Sequence, residues 1–338
     1  MLGKSVMTKR SPFERLAATH PECEIWWDAS PLVFENWSKQ ALAEEQPARR
    51  DLIETWHDRY YRPAEPGKQL FRGANTDLSR SWAAVQEEGW FWREWAFEWK
   101  RRDPRANAHG IWWRMYLEVL RRGAEKYLGA FHHSDCRFGY LSAQVDPHDG
   151  GNQRALERQA AEIASTASNL IAAVPATAQG LRAISLLTAR GISTNAILCF
   201  TMRQFAAVAD AVEEGLEKAR SRRVDLSTWR SVVTASVSDY EEQGEFEKEG
   251  ARIGIRLTEA ERRWASIAVV KRAVRLLRER NFPGKLMVSS IRSGPVVEGR
   301  KRLWHLEKIA GADVIYACPG WLVQEAHALA EELEFAPA

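Results

Sequence analysis

The sequence lacks any apolar run long enough to cross a membrane. No stretch of about 20 consecutive apolar residues occurs in the 338 residues, and a helix needs about that length to span a bilayer. The charged residues at the amino terminus, in MLGKSVMTKRSPFERLAATH, have no apolar segment behind them, so we expect no secretory signal. These absences predict a cytoplasmic protein that does not contact a membrane.

Cysteine and the common cofactor motifs are also scarce. The four cysteines show neither CxxC pairing nor a histidine at zinc spacing, which predicts reduced thiols rather than disulfides or a zinc site. No P-loop, no GxGxxG after a strand and no HExxH occurs. Five of the eight histidines precede residue 134, so the ligands of a metal site do not converge. We expect no cofactor and no metal.

An excess of charge of one sign is missing as well. The chain has 48 lysines and arginines and 45 aspartates and glutamates, for a net charge of +3. The short basic runs KARSRRVD and WKRRDPR are typical of solvated helix ends. A nucleic-acid-binding protein needs a clustered basic face. We therefore expect a small-molecule substrate or ligand and no nucleic-acid partner.

Eight short strand-like segments alternate with amphipathic helical segments. The strand-like segments are EIWWDAS (24–30), LFRGANT (70–76), FGYLSAQVD (138–146), LIAAV (170–174), TNAILCF (194–200), SVVTASVS (231–238), KLMVSSIR (285–292) and DVIYACP (313–319). This rhythm predicts an α/β fold, a single (β/α)8 TIM barrel over residues 1–338. The long connection 31–69 after the first strand carries helix-favouring residues, and we expect a long, helical and tryptophan-rich insertion there, near the barrel mouth.

Tryptophan is unusually frequent, and most of it falls in the first third of the chain. At helical spacing Trp92, Trp95 and Trp99 share a face, and Trp113 and Tyr116 are expected to face the same core. One interpretation is a tryptophan-rich helical insertion that packs through large aromatic side chains. The other is an aromatic-walled pocket for a planar or cationic ligand.

The carboxyl ends of the strands are the candidate site, because catalytic side chains of a (β/α)8 barrel stand there. In chain order the residues at these ends are Asp28, Asn75, Gln144 with Asp146, Ala173, Ile197, Thr234 with Asp239 nearby, Ser289, Ser290 and Arg292, and Tyr316 with Cys318. The fourth strand delivers only alanine and valine side chains, which cannot transfer a proton or attack carbon. No strand ends in lysine, and Lys285 begins its strand, at the opposite rim.

Several segments resemble the transaldolase family, in the order in which that family has them. AAVPATAQGLRAISLLTARGISTNAILCFTMRQFAAVADA is similar to the central signature, where a strand ends Lys-hydrophobic-Pro-Ala-Thr and a Glu-Gly-Ile-x-x-Asn segment follows. WWDAS, GANTDLS and LSAQVDP resemble the first-strand aspartate, Thr-Thr-Asn-Pro-Ser and Ser-x-Glu-Val-Asp motifs. MVSSIRSG and EKIAGADVIYACPGWLVQE resemble the Ser-Phe-Arg motif and the carboxyl-terminal motif. The resemblance covers about residues 24–330 and implies a class I aldolase-type barrel.

The resemblance implies that Ala173 stands where the family has its Schiff-base lysine. A methyl group cannot replace the amine that forms the imine. Gln144 matches the glutamate that handles water and protons in the family, and Ile197 matches a threonine. Asp239 falls near the position of a phosphate-binding arginine and would repel a phosphate.

Other matched positions keep their chemistry. Asp28 matches the family's general acid/base, Asn75 the residue that orients substrate hydroxyls, Arg292 a phosphate ligand, and Thr234 lies near a family serine. The candidate catalytic residues are Asp28, Asn75, Gln144 and Thr234. The candidate substrate-binding residues are Arg292, Ser289, Ser290, Asn195 and Thr177. The dimers of the family leave a homodimer as one alternative for the oligomeric state.

Three functions remain open at this point. The barrel could be a repurposed enzyme that uses acid/base chemistry for isomerisation, dehydration or cyclisation of a carbonyl, sugar-derived or cyclic metabolite. It could be a catalytically silent homologue that binds a ligand or a partner protein. It could also be an authentic transaldolase whose lysine comes from another part of the chain, such as the insertion.

Overall fold

Parallel strands close into the predicted barrel. The structure, a computed structural model, describes residues 9–242 and 244–336. Its strands are β1 Glu24–Trp27, β2 Phe71–Thr76, β3 Tyr140–Gln144, β4 Leu170–Pro175, β5 Thr194–Ile197, β6 Ser231–Ser236, β7 Lys285–Ser289, β8 Val296–Val297, β9 Arg300–Lys301 and β10 Val314–Cys318. The barrel order is β1-β10-β7-β6-β5-β4-β3-β2, and β8 and β9 form a separate hairpin. The predicted (β/α)8 fold is confirmed.

Helices connect the strands and form the outer layer. They are α1 Pro12–Ala17, α2 Phe34–Glu44, α3 Pro47–Tyr60, α4 Leu78–Glu87, α5 Gly89–Arg102, α6 Ala108–His133, α7 Gln153–Thr166, α8 Ala178–Thr188, α9 Met202–Ser221, α10 Val237–Glu242, α11 Glu245–Arg252, α12 Glu259–Glu279, α13 Trp304–Glu307 and α14 Gly320–Ala328. Capping side chains begin several of them, such as Thr177 at α8 and Thr201 at α9. No helix in the described part of the chain is long and apolar enough to cross a membrane.

Seven of the eight barrel strands are shorter than the predicted segments, and positive φ angles explain one boundary in each of three of them. Leu198 has φ +60° and ends β5, whereas Ser290 has φ +53° and ends β7. Gly139 has φ +82° directly before β3. A left-handed conformation interrupts the extended backbone that strand pairing requires. The residues after the bends at Leu198 and Ser290 therefore belong to the loops of the barrel mouth.

Side chains at alternate strand positions fill the barrel interior in layers. Towards the amino-terminal end of the strands the layer is apolar, with Trp26, Tyr140, Ile171, Val232, Met287 and Ile315. The Trp26 indole fits because Gly73 has no side chain, and a Cβ there would lie 2.6 Å from Trp26 Cε2. Two residues further along five of these strands stand Asp28, Ser142, Ala173, Thr234 and Ser289. An apolar floor therefore lies beneath a largely polar mouth.

The longest connection joins β2 to β3 and contains α4, α5 and α6. It holds seven tryptophans, whereas the segment 31–69 after β1 holds two, so the tryptophan-rich part lies after the second strand rather than after the first. Trp92 and Trp113 are buried, and Trp95 stacks on Trp99 with ring centroids 5.6 Å apart. Trp92 also lines a groove of about 420 Å³ on the outside of these helices. Aromatic packing dominates here, although the groove keeps the pocket interpretation open.

The segment 31–69 is helical, as the sequence indicates, and it lies beside β1 in the outer layer. Helix α3 packs on α14, where Arg49 Nη2 donates to the His327 carbonyl at 2.6 Å. The Tyr60 hydroxyl and His327 Nε2 lie 2.8 Å apart. In α2, Trp37 packs on Trp27 of β1 with ring centroids 4.9 Å apart. The connection therefore covers the outer face of the first strand.

Candidate functional site

A cavity of about 160 Å³ opens at the carboxyl ends of the barrel strands. It is lined by Asn75, Thr76, Asp77, Arg80, Gln144, Ala173, Ile197, Leu198, Thr234, Ser236, Ser289 and Ser290. None of these residues belongs to the segment 31–69. Seven of them are residues that the sequence predicts at strand ends. The mouth of the barrel therefore assembles most of the predicted site.

Asp28 lies beneath the edge of this cavity and holds two of its lining residues. Its Oδ1 accepts from Asn75 Nδ2 at 2.8 Å, and its Oδ2 accepts from Arg80 Nη2 at 2.9 Å. The side chain is only 1% exposed. Burial raises the pKa of the Asp28 carboxyl, and the charge of Arg80 and the hydrogen bond from Asn75 offset only part of that effect. A carboxyl with a raised pKa is suited to proton transfer.

Sequence reasoning missed Arg80, which lines the cavity from the first turn of α4. Asp77 caps this helix by accepting from the Arg80 backbone N–H at 2.7 Å, and it pairs with Arg80 Nη1 at 2.5 Å. The cap fixes where α4 begins, so the guanidinium reaches back over the mouth to Asp28. The signal in the sequence was the Asp77 cap itself, three residues before Arg80.

A row of hydrogen bonds supports the floor of the cavity. Thr234 Oγ1 donates to Asn195 Oδ1 at 2.7 Å, and Asn195 Nδ2 donates to Ser142 Oγ at 3.0 Å. Asn195 and Ser142 are completely buried. Asn195 therefore lies below the cavity, where it orients the Thr234 hydroxyl. Because that hydroxyl donates downwards, its lone pairs are left to accept from a ligand.

Ala173 and Gln144 stand side by side in the wall of the cavity. Ala173 pairs in register with Gln144 on β3 and with Asn195 on β5. The Gln144 side chain has no hydrogen-bond partner among the described residues, whereas its backbone carbonyl accepts from the Tyr116 hydroxyl at 2.8 Å. Its amide N–H groups are therefore available to a ligand oxygen. Ala173, which lies between Gln144 and Asn195, contributes only a methyl group to the wall.

Hydroxyl groups line the opposite wall. Ser236 Oγ and Ser289 Oγ lie 3.3 Å apart across β6 and β7. Ser290 follows with its left-handed backbone and also faces the cavity. Serine hydroxyls can both donate and accept, so this wall matches hydroxyl or carbonyl groups of a ligand. Ser236 is a second lining residue that sequence reasoning missed.

Besides Asn195, two further predicted binding residues lie outside the cavity wall. Thr177 caps α8, where its Oγ1 accepts from the Gly180 N–H at 3.1 Å. Arg292 lies at the rim, and its Nε and Nη2 donate to Glu242 at 2.8 and 3.1 Å. The pairing with Glu242 raises the pKa of Arg292. The Thr177 hydroxyl is therefore used as a helix cap, and the Arg292 guanidinium is paired with the Glu242 carboxylate of α10.

A buried polar cluster holds the Arg292 loop against α10. Arg263 donates from Nη1 to the backbone carbonyls of residues 292–294 at 2.9 to 3.2 Å and from Nε to Glu241 at 2.9 Å. His305 Nδ1 accepts from the Arg292 N–H at 3.1 Å, and His305 Nε2 lies 2.9 Å from Glu241. The Arg263, Glu241 and His305 side chains are buried. The relative position of Arg292 and Glu242 is thus built into the fold.

No lysine among the described residues lines the cavity. Lys285 begins β7 and pairs with Glu24 at 3.1 Å and Asp313 at 2.9 Å, at the amino-terminal ends of the strands, as predicted. Within the same part of the chain, no group of three or more histidine, cysteine, aspartate or glutamate side chains could hold a metal ion. Asp146 contacts two histidines, His109 Nε2 at 2.6 Å and His148 Nδ1 at 2.8 Å.

The fold and the site together define a (β/α)8 barrel with a polar cavity at the carboxyl ends of its strands. The transaldolase/fructose-6-phosphate aldolase family matches residues 96–327, more than half of the chain. The chain therefore belongs to this family, and the resemblance noted in the sequence is confirmed at that level.

Individual relatives match shorter parts. A transaldolase of Mycolicibacterium paratuberculosis is 35% identical over 142 residues, which cover 41% of this chain and 38% of that protein. Transaldolase 2 of Streptomyces avermitilis is 35% identical over 121 residues, covering 35% and 32%. A transaldolase of Mycobacterium tuberculosis is 33% identical over 162 residues, covering 47% and 43%. The chain thus aligns with less than half the length of each of these relatives.

Proposed function

We propose that this member of the family acts on a small carbonyl or sugar-derived compound by acid/base chemistry, without a lysine Schiff base. The observation that carries the proposal is the wall of the mouth cavity, where Ala173 stands between Gln144 and Asn195 and no described lysine reaches the space. An imine requires an amine at the reacting carbon. A proton-transfer group remains, the buried Asp28.

In this mechanism a substrate hydroxyl or acidic C–H displaces the Arg80 guanidinium from Asp28 Oδ2. The carboxylate accepts the proton next to the carbonyl, and the electron pair moves onto the carbonyl oxygen. Arg80, still paired with Asp77, and the Gln144 amide donate to that oxygen and stabilise the enediolate. In an isomerisation, Asp28 returns the proton to the neighbouring carbon, and the remaining hydroxyl proton of the enediolate passes to the other oxygen. In a dehydration, the protonated Asp28 gives its proton to the β-hydroxyl, which leaves as water while the carbonyl forms again.

Exchange of substrate hydrogen in D2O tests this proposal without knowledge of the product. Small hydroxyketones, with dihydroxyacetone first, are incubated with the protein, and the loss of the C–H proton signal is followed by NMR. We expect exchange with the natural chain and with the control Glu22→Gln, and none with Asp28→Asn. Exchange that survives in Asp28→Asn would remove Asp28 from the mechanism, and ligand binding without any exchange would favour the silent homologue.

A second candidate is an authentic transaldolase, which the names of the relatives favour over the acid/base enzyme. It requires a reactive lysine at the mouth. Borohydride trapping with fructose 6-phosphate decides between the two, with the result measured as a mass increase of the intact protein. Ala173→Lys is the positive control, and Ala173→Met, of similar length but without an amine, measures background labelling. We expect an adduct only in Ala173→Lys. An adduct on the natural chain, located by peptide mapping, would establish the second candidate.

A further inference from the structure

Among the residues that the structure describes, the lining of the mouth cavity has no positive charge that is free of a carboxylate. Its lining includes one cation, Arg80, and one carboxylate, Asp77. Arg80 contacts two carboxylates at once, Asp77 at 2.5 Å and Asp28 at 2.9 Å. The net charge of this trio is negative when both acids are ionised. A phosphate group at this end of the cavity would therefore have to displace a carboxylate.

At the opposite rim of the mouth, the positive charge is also paired with a carboxylate. Arg292 is engaged by Glu242 through two hydrogen bonds. Asp239 lies on the same helix, and its pKa is raised by burial and by the negative charge of Glu242, which the hydrogen bond from Ser238 and the charge of Arg292 oppose. One cation thus faces two acidic groups. Arg203, at the exposed start of α9, does not line the cavity.

The remaining polar lining groups are uncharged hydrogen-bond donors and acceptors. They are Asn75, Thr76, Gln144, Thr234, Ser236, Ser289 and Ser290. Such a set matches the hydroxyl and carbonyl groups of a polyol or ketose. The volume of about 160 Å³ is small beside the pockets of drug-sized ligands, which measure roughly 300–1,000 Å³.

We infer that the mouth takes an uncharged hydroxyketone or ketose rather than its phosphate ester, and that Glu242 is the residue that enforces this choice. Glu242 occupies the Nε and Nη2 donors of Arg292, one of the two paired edges of the guanidinium, and its negative charge opposes the approach of a phosphate. The inference rests on the proposed use of this cavity as a substrate site. It does not depend on whether Asp28 transfers a proton.

Titration calorimetry with two matched pairs tests the inference: dihydroxyacetone against dihydroxyacetone phosphate, and fructose against fructose 6-phosphate. We expect the natural chain to bind the uncharged member of a pair more tightly. Glu242→Gln frees Arg292 and should tighten binding of the phosphate ester about tenfold, the gain expected from a charge-assisted hydrogen bond. Binding of the uncharged member should not change. Glu249→Gln, which loses an exposed ion pair with Arg252 in α11, should change neither.

Tighter binding of the phosphate ester by the natural chain would overturn the inference. So would equal effects of Glu242→Gln and Glu249→Gln, or a lack of binding by all four compounds to both the natural chain and Glu242→Gln. A preference for the uncharged compound without hydrogen exchange in D2O would uphold the inference and contradict the proposed acid/base reaction. The two ideas therefore fail on different measurements.

Discussion

Among single residues, Asp28 shows how function and stability oppose each other at this site. Its carboxyl is buried, and its two partners do not fully compensate the cost of the charge, so its pKa is raised. A folded-state pKa above the unfolded value means that the unfolded chain releases its proton first as the pH rises. Ionisation of Asp28 therefore lowers the stability of the folded protein at neutral pH.

The substitution Asp28→Asn is expected to abolish hydrogen exchange without lowering stability at neutral pH. Arg80 is one-third exposed and keeps Asp77, so no unpaired buried charge is left behind. Relative to the natural chain, the free energy of unfolding of the variant should increase as the pH rises from about 3 to about 7. Urea unfolding at several pH values measures this difference. A difference that falls over this range would contradict the raised pKa.

The residues that could be predicted from the sequence are those fixed by strand periodicity. Asn75, Gln144, Ala173 and Thr234 each lie near the end of a strand with the side chain directed inwards, and alternation alone determines that direction. The match of Ala173 to the family's lysine position follows in particular from Pro175, which stands two residues later in both sequences.

The residues that could not be predicted depend on loops and on helix orientation. Arg80 reaches Asp28 only because Asp77 fixes the start of α4. The capture of Arg292 by Glu242 depends on a bend at Ser290 and on the packing of α10. Each of these contacts joins residues about 50 positions apart, so no periodic pattern in the sequence indicates it. Such pairs can be identified only in the three-dimensional structure, because closure of the barrel brings their residues together.

Among the secondary-structure elements, the strands can be predicted from the sequence, because short β-branched runs between amphipathic helices are typical of the buried strands of a parallel sheet. The helices between β2 and β3 were less clear. Their tryptophans fit either a packed face or a pocket wall, and hydrophobic periodicity does not tell which partner covers a helix. The structure places Trp92 and Trp113 in the packed interior of this connection.

Glu24 ties three strands together at the apolar end of the barrel. Burial opposes its ionisation, but Arg230 of the chain before β6, Lys285 of β7 and the Trp26 indole hold its pKa below the usual value. Glu24→Gln should lower the free energy of unfolding by about 3 kcal/mol at neutral pH, since it removes the carboxylate partner of Arg230 in a poorly solvated place and leaves Lys285 with Asp313 alone. Urea denaturation measures the loss.

The control for this change is Glu22→Gln, whose carboxylate pairs with Arg137 in an exposed position. It should cost less than about 0.5 kcal/mol. Because the folded-state pKa of Glu24 is lowered, its contribution is present above the unfolded pKa and is lost as the pH falls. The gap between the natural chain and Glu24→Gln should therefore narrow in acid. Equal decreases in the free energy of unfolding for the two variants at neutral pH would show that Glu24 does not stabilise this end of the barrel.

Gly180 determines how closely α8 follows β4. A Cβ at this position would lie 1.7 Å from the Pro175 carbonyl oxygen, so the helix and the strand end would have to separate. Gly180→Ala should cost about 1–3 kcal/mol in the free energy of unfolding, the usual range for overpacking. Gly89→Ala, in the first turn of α5 with nothing within 4 Å of the added Cβ, should be neutral or stabilising. Thermal denaturation of both variants compares them.

At the scale of the whole molecule, closure of the barrel makes the two halves of the chain depend on each other. β1 pairs with β2 on one side and with β10 on the other. The Asp28 backbone N–H also donates to the Cys318 carbonyl at 3.1 Å. Loss of either half exposes the edges of the other, together with the apolar floor around Trp26. We therefore expect the barrel to unfold as one cooperative unit.

The distribution of tryptophan makes this expectation easy to measure. Eleven of the fifteen tryptophans lie in residues 26–113, so fluorescence reports mainly on the first part of the chain, whereas far-ultraviolet circular dichroism reports on all helices and strands. In urea the two signals should have the same midpoint and the same slope, because β1 cannot leave the barrel without breaking its contacts with β10. A fluorescence midpoint at lower urea would show that the tryptophan-rich helices detach first, and would contradict single-step unfolding. Exposed Trp90 is a source of signal that does not depend on folding, so Trp90→Phe provides the matched control, and its transition should coincide with that of the natural chain.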